Sequence, residues 1–205
     1  MTDVTTGLST SVDGFIAGPE DGPGRPLGVG GERLFEWLSD GDTQSRHYPT
    51  FKMSAASAEV FDAFADRVGA VISGRRTYDI SNAWQGRGPL PGAPLFVMTH
   101  EPPQSVPSGE PGDRPYTFVR DGIEAAVAQA RAAAGEKDVS LMGASVVQQA
   151  LRVGLLDVLT IQLVPVLLGG GVRLLEAGLP AGTELEAIGV VDAPGVTHLT
   201  YRVLR

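Results

Sequence analysis

Apolar positions recur along this chain first at strand spacing, then at alternating strand and helix spacing, and finally at strand spacing alone. Val4 to Thr10 reads as a short strand, and Phe15, Ile16 and Ala17 follow a turn at Asp13-Gly14. Residues 18–31 are rich in glycine and proline and read as an ordered loop or a flexible flap. Leu34, Phe35, Trp37 and Leu38 predict a short amphipathic helix, and residues 39–53 are polar and irregular. Phe61, Phe64, Ala65 and Val68 stand at i, i+3, i+4 and i+7, one face of a helix over residues 55–68. Residues 70–72, 94–98, 116–119 and 139–142 are short apolar runs of strand type. Helices are predicted to open at Arg75, to carry the stripe Ile123, Ala126, Val127, Ala130 and Ala134, and to span residues 145–153. Gly154 stops the last of these, with Leu155 placed for the accompanying apolar contact. Residues 102–115 read as a long Pro/Gly loop.

The last third changes character. Leu159, Ile161 and Leu163 alternate with Thr160 and Gln162, a strand with one less apolar face. Residues 184–191 and 197–203 predict an antiparallel pair, with Leu199, Tyr201 and Val203 on one face and His198, Thr200 and Arg202 on the other. Strands alternating with helices, then strands alone, predict an α/β domain over residues 1–205: a mostly parallel sheet with an antiparallel C-terminal edge. No helix is predicted beyond Gly178 to cover those last apolar faces, so a homodimer about a two-fold axis is expected. The alternative is that they fold onto the chain's own helices.

Composition narrows the function. The formal charge is −8, which argues against a nucleic-acid or acidic-membrane surface. The absence of Cys removes disulfides, thiolate metal sites and a cysteine nucleophile. His47, His100 and His198 lie far apart, with no metal spacing. No apolar run approaches a membrane span, and Met1 to Thr10 carries no basic residue before an apolar stretch, so a cytoplasmic protein acting on a small molecule is expected.

In a parallel sheet, ligands bind beyond the carboxyl ends of the strands. Three predicted strands end there in short turns: Gly74-Arg75-Arg76-Thr77, Met98-Thr99-His100 and Met142-Gly143-Ala144-Ser145. Two of these turns open helices, whose free N–H groups favour phosphate, and Arg75 and Arg76 add fixed charge. The competing reading pairs those arginines with Asp79 or solvent. Ser145 and Gln148 have capping-box spacing, a structural role, while the N–H groups of Gly143 and Ala144 are free to face a ligand. Gly169-Gly170-Gly171 follows a strand with no helix after it and reads as a turn. Glu59, Asp62 and Asp66 share a helix face; a carboxyl there donates a proton if burial raises its pKa, and is otherwise a solvated surface group. Trp37 and Trp84 either pack or border a planar ligand.

Taken together, these stretches resemble the dihydrofolate reductase-like superfamily, in particular the reductase domain of the bifunctional riboflavin-biosynthesis deaminase/reductase. The resemblance is carried by residues 9–17 (Ser-Thr-Ser-Val-Asp-Gly-Phe-Ile-Ala), 74–78 (Gly-Arg-Arg-Thr-Tyr), 96–100 (Phe-Val-Met-Thr-His) and 143–149 (Gly-Ala-Ser-Val-Val-Gln-Gln), with Leu155-Leu156-Asp157 and residues 165–171 behind them. It implies a three-layer α/β/α domain that binds NADPH across the strand ends. By position, Gly74, Arg75, Arg76 and Thr77 are similar to the family's phosphate turn, and Thr99 and His100 to the turn meeting the adenosine 2′-phosphate. Gly143, Ala144 and Ser145 match the pyrophosphate turn, and Ser9, Ile16 and Ala17 the segment beside the nicotinamide. Met142-Gly143 replaces the family's paired glycines, and Ala58 stands where dihydrofolate reductases keep an acid, next to Glu59. The resemblance implies an NADPH-dependent reductase of a small heterocycle, with 5-amino-6-(5-phosphoribosylamino)uracil as the family's named substrate. The rival readings are a pteridine or folate reductase and a non-catalytic NADP-binding module.

Overall fold

β1 (Val4–Ser11) runs through the middle of an eight-stranded sheet, and its alternation sets the chemistry of both faces. The computed structural model describes residues 2–106 and 116–204. After β1 come β2 (Phe15–Ala17), a 3-10 helix at Gly31–Leu38, and the two-residue strands β3 (Thr43–Gln44) and β4 (Lys52–Met53). The alternating region follows: α1 (Ala55–Arg67), β5 (Val68–Gly74), α2 (Arg75–Ile80), β6 (Leu95–Met98), β7 (Thr117–Val119), α3 (Gly122–Ala134), β8 (Asp138–Met142), α4 (Ala144–Arg152) and β9 (Val158–Val164). β10 (Val172–Arg173), β11 (Leu185–Ala193) and β12 (Val196–Val203) complete the chain.

The sheet order is β11-β12-β9-β1-β8-β5-β6-β7. It is parallel from β7 through β9 and antiparallel where β12 joins β9 and β11 joins β12. This is the dihydrofolate reductase-like arrangement that the sequence resemblance implies. β2 pairs with β10, and an Asp13 carboxylate accepts from the N–H groups of Leu168 and Gly169 at 3.1 and 2.7 Å, so the three-glycine segment is a turn.

Val4, Ala70, Ile72, Val139, Leu141 and Leu159 point to one face and pack with Ile123, Ala126 and Val127 of α3 and Val146, Val147 and Ala150 of α4. The other face lies under α1 and α2. There two smaller apolar clusters, one around Trp37, Leu34 and Met53 and one around Tyr78, Val71 and Val97, flank a polar strip. The helix termini follow local rules. The Ser54 hydroxyl caps α1 by accepting from Ser57 N–H, and Gly154 (φ 66°) ends α4 with N–H bonds from Gly154 to Leu151 and from Leu155 to Ala150.

Several expectations need correction. The helix at residues 34–38 is of the 3-10 type, and the polar stretch after it holds the β3–β4 hairpin, whose two-residue strands are too short to show alternation. Ser145 is not a cap: Gly143 occupies that position, while Gln148 turns to the carbonyls of Arg173 and Leu174. Asn82, Ala83, Trp84 and Gln85 form a left-handed turn with φ of 46–54°, which among these residue types only Asn82 favours. The Pro/Gly loop expected at residues 102–115 lies outside the described residues from 107 on. The late apolar face is partly closed by the chain itself: Leu159 is buried, and Ile161, Tyr201 and Val203 pack against the main core. Leu185 and Val190, on the edge strand, remain exposed.

Candidate active site

The carboxyl ends of β5, β6 and β8 and the polar face under α1 share one cavity of about 1260 Å³. All twelve residues singled out for cofactor contact line it: Ser9, Ile16, Ala17, Gly74 to Thr77, Thr99, His100 and Gly143 to Ser145. The turns are held close to one another. A Cβ added at Gly143 (φ 99°) would stand 2.6 Å from the Thr77 Oγ1, so only glycine lets the turn after β8 abut α2. α2 has six residues, so the positive charge at its start comes from its guanidinium groups more than from a helix dipole.

Those groups are already engaged. Arg75 Nε donates to both Asp79 carboxylate oxygens at 2.8 and 2.9 Å, and its Nη1 donates to the Glu101 carbonyl. Arg76 reaches across the cleft to Asp21 in the 18–31 loop: Nε to Oδ2 at 3.1 Å, Nη2 to Oδ1 at 2.8 Å and Nη2 to the carbonyl at 2.8 Å. Asp21 is nearly buried while Arg76 is mostly exposed, so the pair ties the loop to the turn after β5. Thr99 donates to the Glu101 carbonyl at 2.6 Å, and the Arg120 Nε donates to the His100 carbonyl at 3.1 Å. Ser145 is exposed at the start of α4 and accepts from Gln149.

Neither carboxylate singled out for proton transfer lines the cavity. Glu59 is exposed. Asp62 is buried at 6% exposure, but it faces the loop at residues 45–48, accepting from the Ser45 hydroxyl at 2.6 Å and the Arg46 N–H at 3.0 Å, with the Arg46 Nε at 3.3 Å. Burial pushes its pKa up, yet those donors and the nearby positive charge outweigh it and hold the carboxyl below its ordinary value. It is ionised and structural there, opposite to the raised pKa that proton donation requires.

Sequence reasoning missed the residues that bring the strands and α1 together. Ser9, Gln162 and His198 stand side by side across β1, β9 and β12. His198 is 2% exposed, bonds Ser57 of α1 through Nε2 at 3.0 Å, and meets the Trp37 ring edge-on at 5.2 Å. Burial depresses its pKa. Trp37 Nε1 donates to Ser9 Oγ at 3.1 Å, so this tryptophan both packs and fixes the segment expected beside the cofactor. A Cβ at Gly7 would lie 3.3 Å from the Phe64 ring, so glycine lets that ring settle onto β1. The alternation of polar residues on β9 and β12 was the one available signal. It gives their shared face, and only the strand order says what that face meets. Among the described residues no three acidic or histidine side chains are placed to hold a metal, and no helix is long and apolar enough to cross a membrane.

The sequence profile of the RibD C-terminal domain matches residues 2–196. A solved structure from Shewanella sp. PV-4, named for riboflavin biosynthesis, is similar with a TM-score of 0.73 at 23% identity, covering 100% of both chains. The Thermotoga maritima diaminohydroxyphosphoribosylaminopyrimidine deaminase/5-amino-6-(5-phosphoribosylamino)uracil reductase gives 0.60 at 12% identity, over 99% of this chain and 57% of its own. Dihydrofolate reductase from Enterococcus faecalis, solved with NADP(H), gives 0.54 at 14% identity, over 99% of this chain and 97% of its own. These likenesses show the fold. No functionally curated protein matches the sequence.

Proposed function

The chain belongs to the RibD C-terminal domain family, and on that premise we propose that it is an NADPH-dependent reductase delivering hydride to a small unsaturated heterocycle. One observation carries the reading: three separate turns, two guanidinium groups and the Ser9 to Ala17 segment converge on a single cavity that continues beneath α1. Bound NADPH would supply the hydride. Arg75 and Arg76, with Thr99 and His100, offer donors to the 2′-phosphate. The exposed Ser145 hydroxyl and the backbone N–H groups of Gly143 and Ala144 suit the pyrophosphate. Ser9, Ile16 and Ala17 border the nicotinamide. Trp37 and the aromatic side chains of α1 keep water from the acceptor, so the protein's contribution is orientation and exclusion.

The test compares NADPH with NADH by thermal shift, since a ligand that binds only the folded state raises the melting temperature. NADPH should bind more tightly, and Arg76→Ala should weaken it by about 1.5–3 kcal/mol, the range for hydrogen bonds to charged groups. Equal affinity for the two nucleotides removes the 2′-phosphate assignment. NADPH binding without oxidation by any acceptor supports the binding-module reading instead.

The same proposal includes a homodimer. Leu185 and Val190 are exposed at 43% and 63% on the face that also carries Leu199, Tyr201 and Val203. A second copy about a two-fold axis buries that strip. Light scattering at twice the chain mass of 21.4 kDa is expected, and a mass equal to one chain at tens of micromolar protein rejects it.

A further inference from the structure

Beneath α1 the cavity has an aromatic roof and a neutral polar floor. Tyr48 stacks on Phe51 with ring centroids 5.0 Å apart, and Phe61 of α1 meets both edge-on at 5.6 and 5.8 Å. Trp37 extends this cluster, 6.3 Å from Phe61. The floor is the row of Ser9, Gln162 and His198, all in the cavity wall. None of these side chains carries charge: burial holds the imidazole in its neutral form and pushes the Tyr48 phenol up as well. A flat ring is what stacked and edge-on aromatics receive; on the floor Ser9 already accepts from Trp37 and His198 bonds Ser57, which leaves the Gln162 amide to meet the ring's hydrogen-bonding edge.

The cations of the cavity are elsewhere. Among the described residues the cavity-lining arginines are Arg67, Arg75, Arg76 and Arg120. Arg67 sits at the opposite end of α1, bonded to Asp138 at 2.7 Å and Asp3 at 3.3 Å. Arg75, Arg76 and Arg120 belong to the turns after β5 and β7. β5 is three strand steps from β9 in the sheet, about 14 Å at the usual spacing. Arg75 and Arg76 are moreover the donors assigned above to the cofactor's 2′-phosphate. The outer side of α1 adds Glu59, Asp62 and Asp66, with Arg46 answering the last two. A phosphate dianion placed in the aromatic compartment therefore leaves water and gains no cation from the described residues, a transfer that costs far more than a hydroxyl in the same place.

We propose that the substrate class of this site is an uncharged, planar, phosphate-free heterocycle of nucleoside size or smaller, and that a 5′-phosphorylated ribosylaminopyrimidine is excluded. The assignment deepens the reductase reading and rests on it for the identity of the neighbouring cofactor. It separates this chain from the Thermotoga relative, whose name specifies a phosphoribosyl substrate.

The test uses three probes on NADP-saturated protein: 5-amino-6-ribosylaminouracil, its 5′-phosphate, and the bare bicyclic ring lumazine. Binding is read from intrinsic fluorescence, since Trp37 and Trp84 both line the cavity. The riboside or lumazine should bind at least about tenfold more tightly than the phosphate. Phe61→Leu should weaken the ring ligands, with Phe61→Ala weakening them further, while NADP affinity holds. Equal or tighter binding of the phosphate overturns the proposal, and so does failure of all three rings to bind. A prior NADP titration separates the two readings: if the nucleotide does not bind, the reductase assignment falls, and the same ring titrations on the free protein still decide the substrate class.

Discussion

The two faces of the central sheet are made from the same strands and do opposite things. On the α3/α4 side, Val4, Ile72, Val139 and Leu141 meet apolar helix stripes and leave no room. One residue along on the same strands, Thr5, Ser9, Ser140 and Thr160 meet a cavity, with α1 above it carrying Phe61 and Phe64. The first face pays for the fold through buried apolar area. Between its two smaller apolar clusters the second gives that contribution up, since hydroxyls and an amide beneath a void contribute little packing. In return it presents hydrogen-bonding groups whose positions are fixed by the rigid sheet behind them. Residue parity on a strand thus divides stability from recognition.

Adjacent residues break or sharpen that division. Leu141→Ala should lower unfolding stability by about 2–5 kcal/mol, the range for a buried leucine left as a cavity, whereas Ser140→Ala should change it by less than about 1 kcal/mol. Urea titration of the two variants decides, and equal losses would erase the distinction between the faces. A smaller effect is expected on the roof. Asp62→Asn should cost about 1–3 kcal/mol, because the Ser45 and Arg46 donors lose a charged partner, while Glu59→Gln should stay within about 0.5 kcal/mol. If Glu59→Gln also abolished turnover, a cleft role for that exposed carboxylate would have to be restored.

The smallest effect is a pH dependence. The folded pKa of His198 lies below its ordinary value of 6.5, so the unfolded chain binds the proton more readily. Its stabilising contribution is present above that value and is lost as pH falls through it towards the depressed folded pKa. The wild-type urea midpoint should drop on going from about pH 7.5 to about pH 5 by more than that of His198→Gln. Parallel curves for the two proteins would show that the buried imidazole does not govern this window.

Much of the sheet was legible because its signal is local. Leu159, Ile161 and Leu163 against Thr160 and Gln162 specify a strand with two unlike faces, and Gly154 with Leu155 specifies a helix end. The turns after β5, β6 and β8 could be read from their residues and from the family resemblance. What stayed hidden depends on partners distant in sequence. Asp62 looks like a cleft carboxylate until Ser45 and Arg46 close over it. Tyr48 and Phe51 sit in a segment without periodicity, so nothing in their spacing announces that they meet Phe61. His198 shares its parity with Thr200 and Arg202, and only the pairing of β12 with β9 turns it towards Ser57 and Trp37.

The bridge between Arg76 and Asp21 makes this corner of the cleft behave like an ion exchanger. An arriving anion meets a guanidinium already neutralised by one carboxylate through two hydrogen bonds and held by a third to a backbone carbonyl, on a chain whose overall charge of −8 repels it. Capture there is a swap of one anion for another, with little long-range attraction to speed the approach. Small inorganic anions gain nothing by the swap, whereas a dinucleotide brings contacts at the other turns that offset the displaced carboxylate. Asp21 thereby acts as a filter on what the arginine will hold. Inorganic phosphate should protect Asp21→Asn against thermal unfolding more than it protects the natural sequence, and equal protection would show that the carboxylate screens nothing.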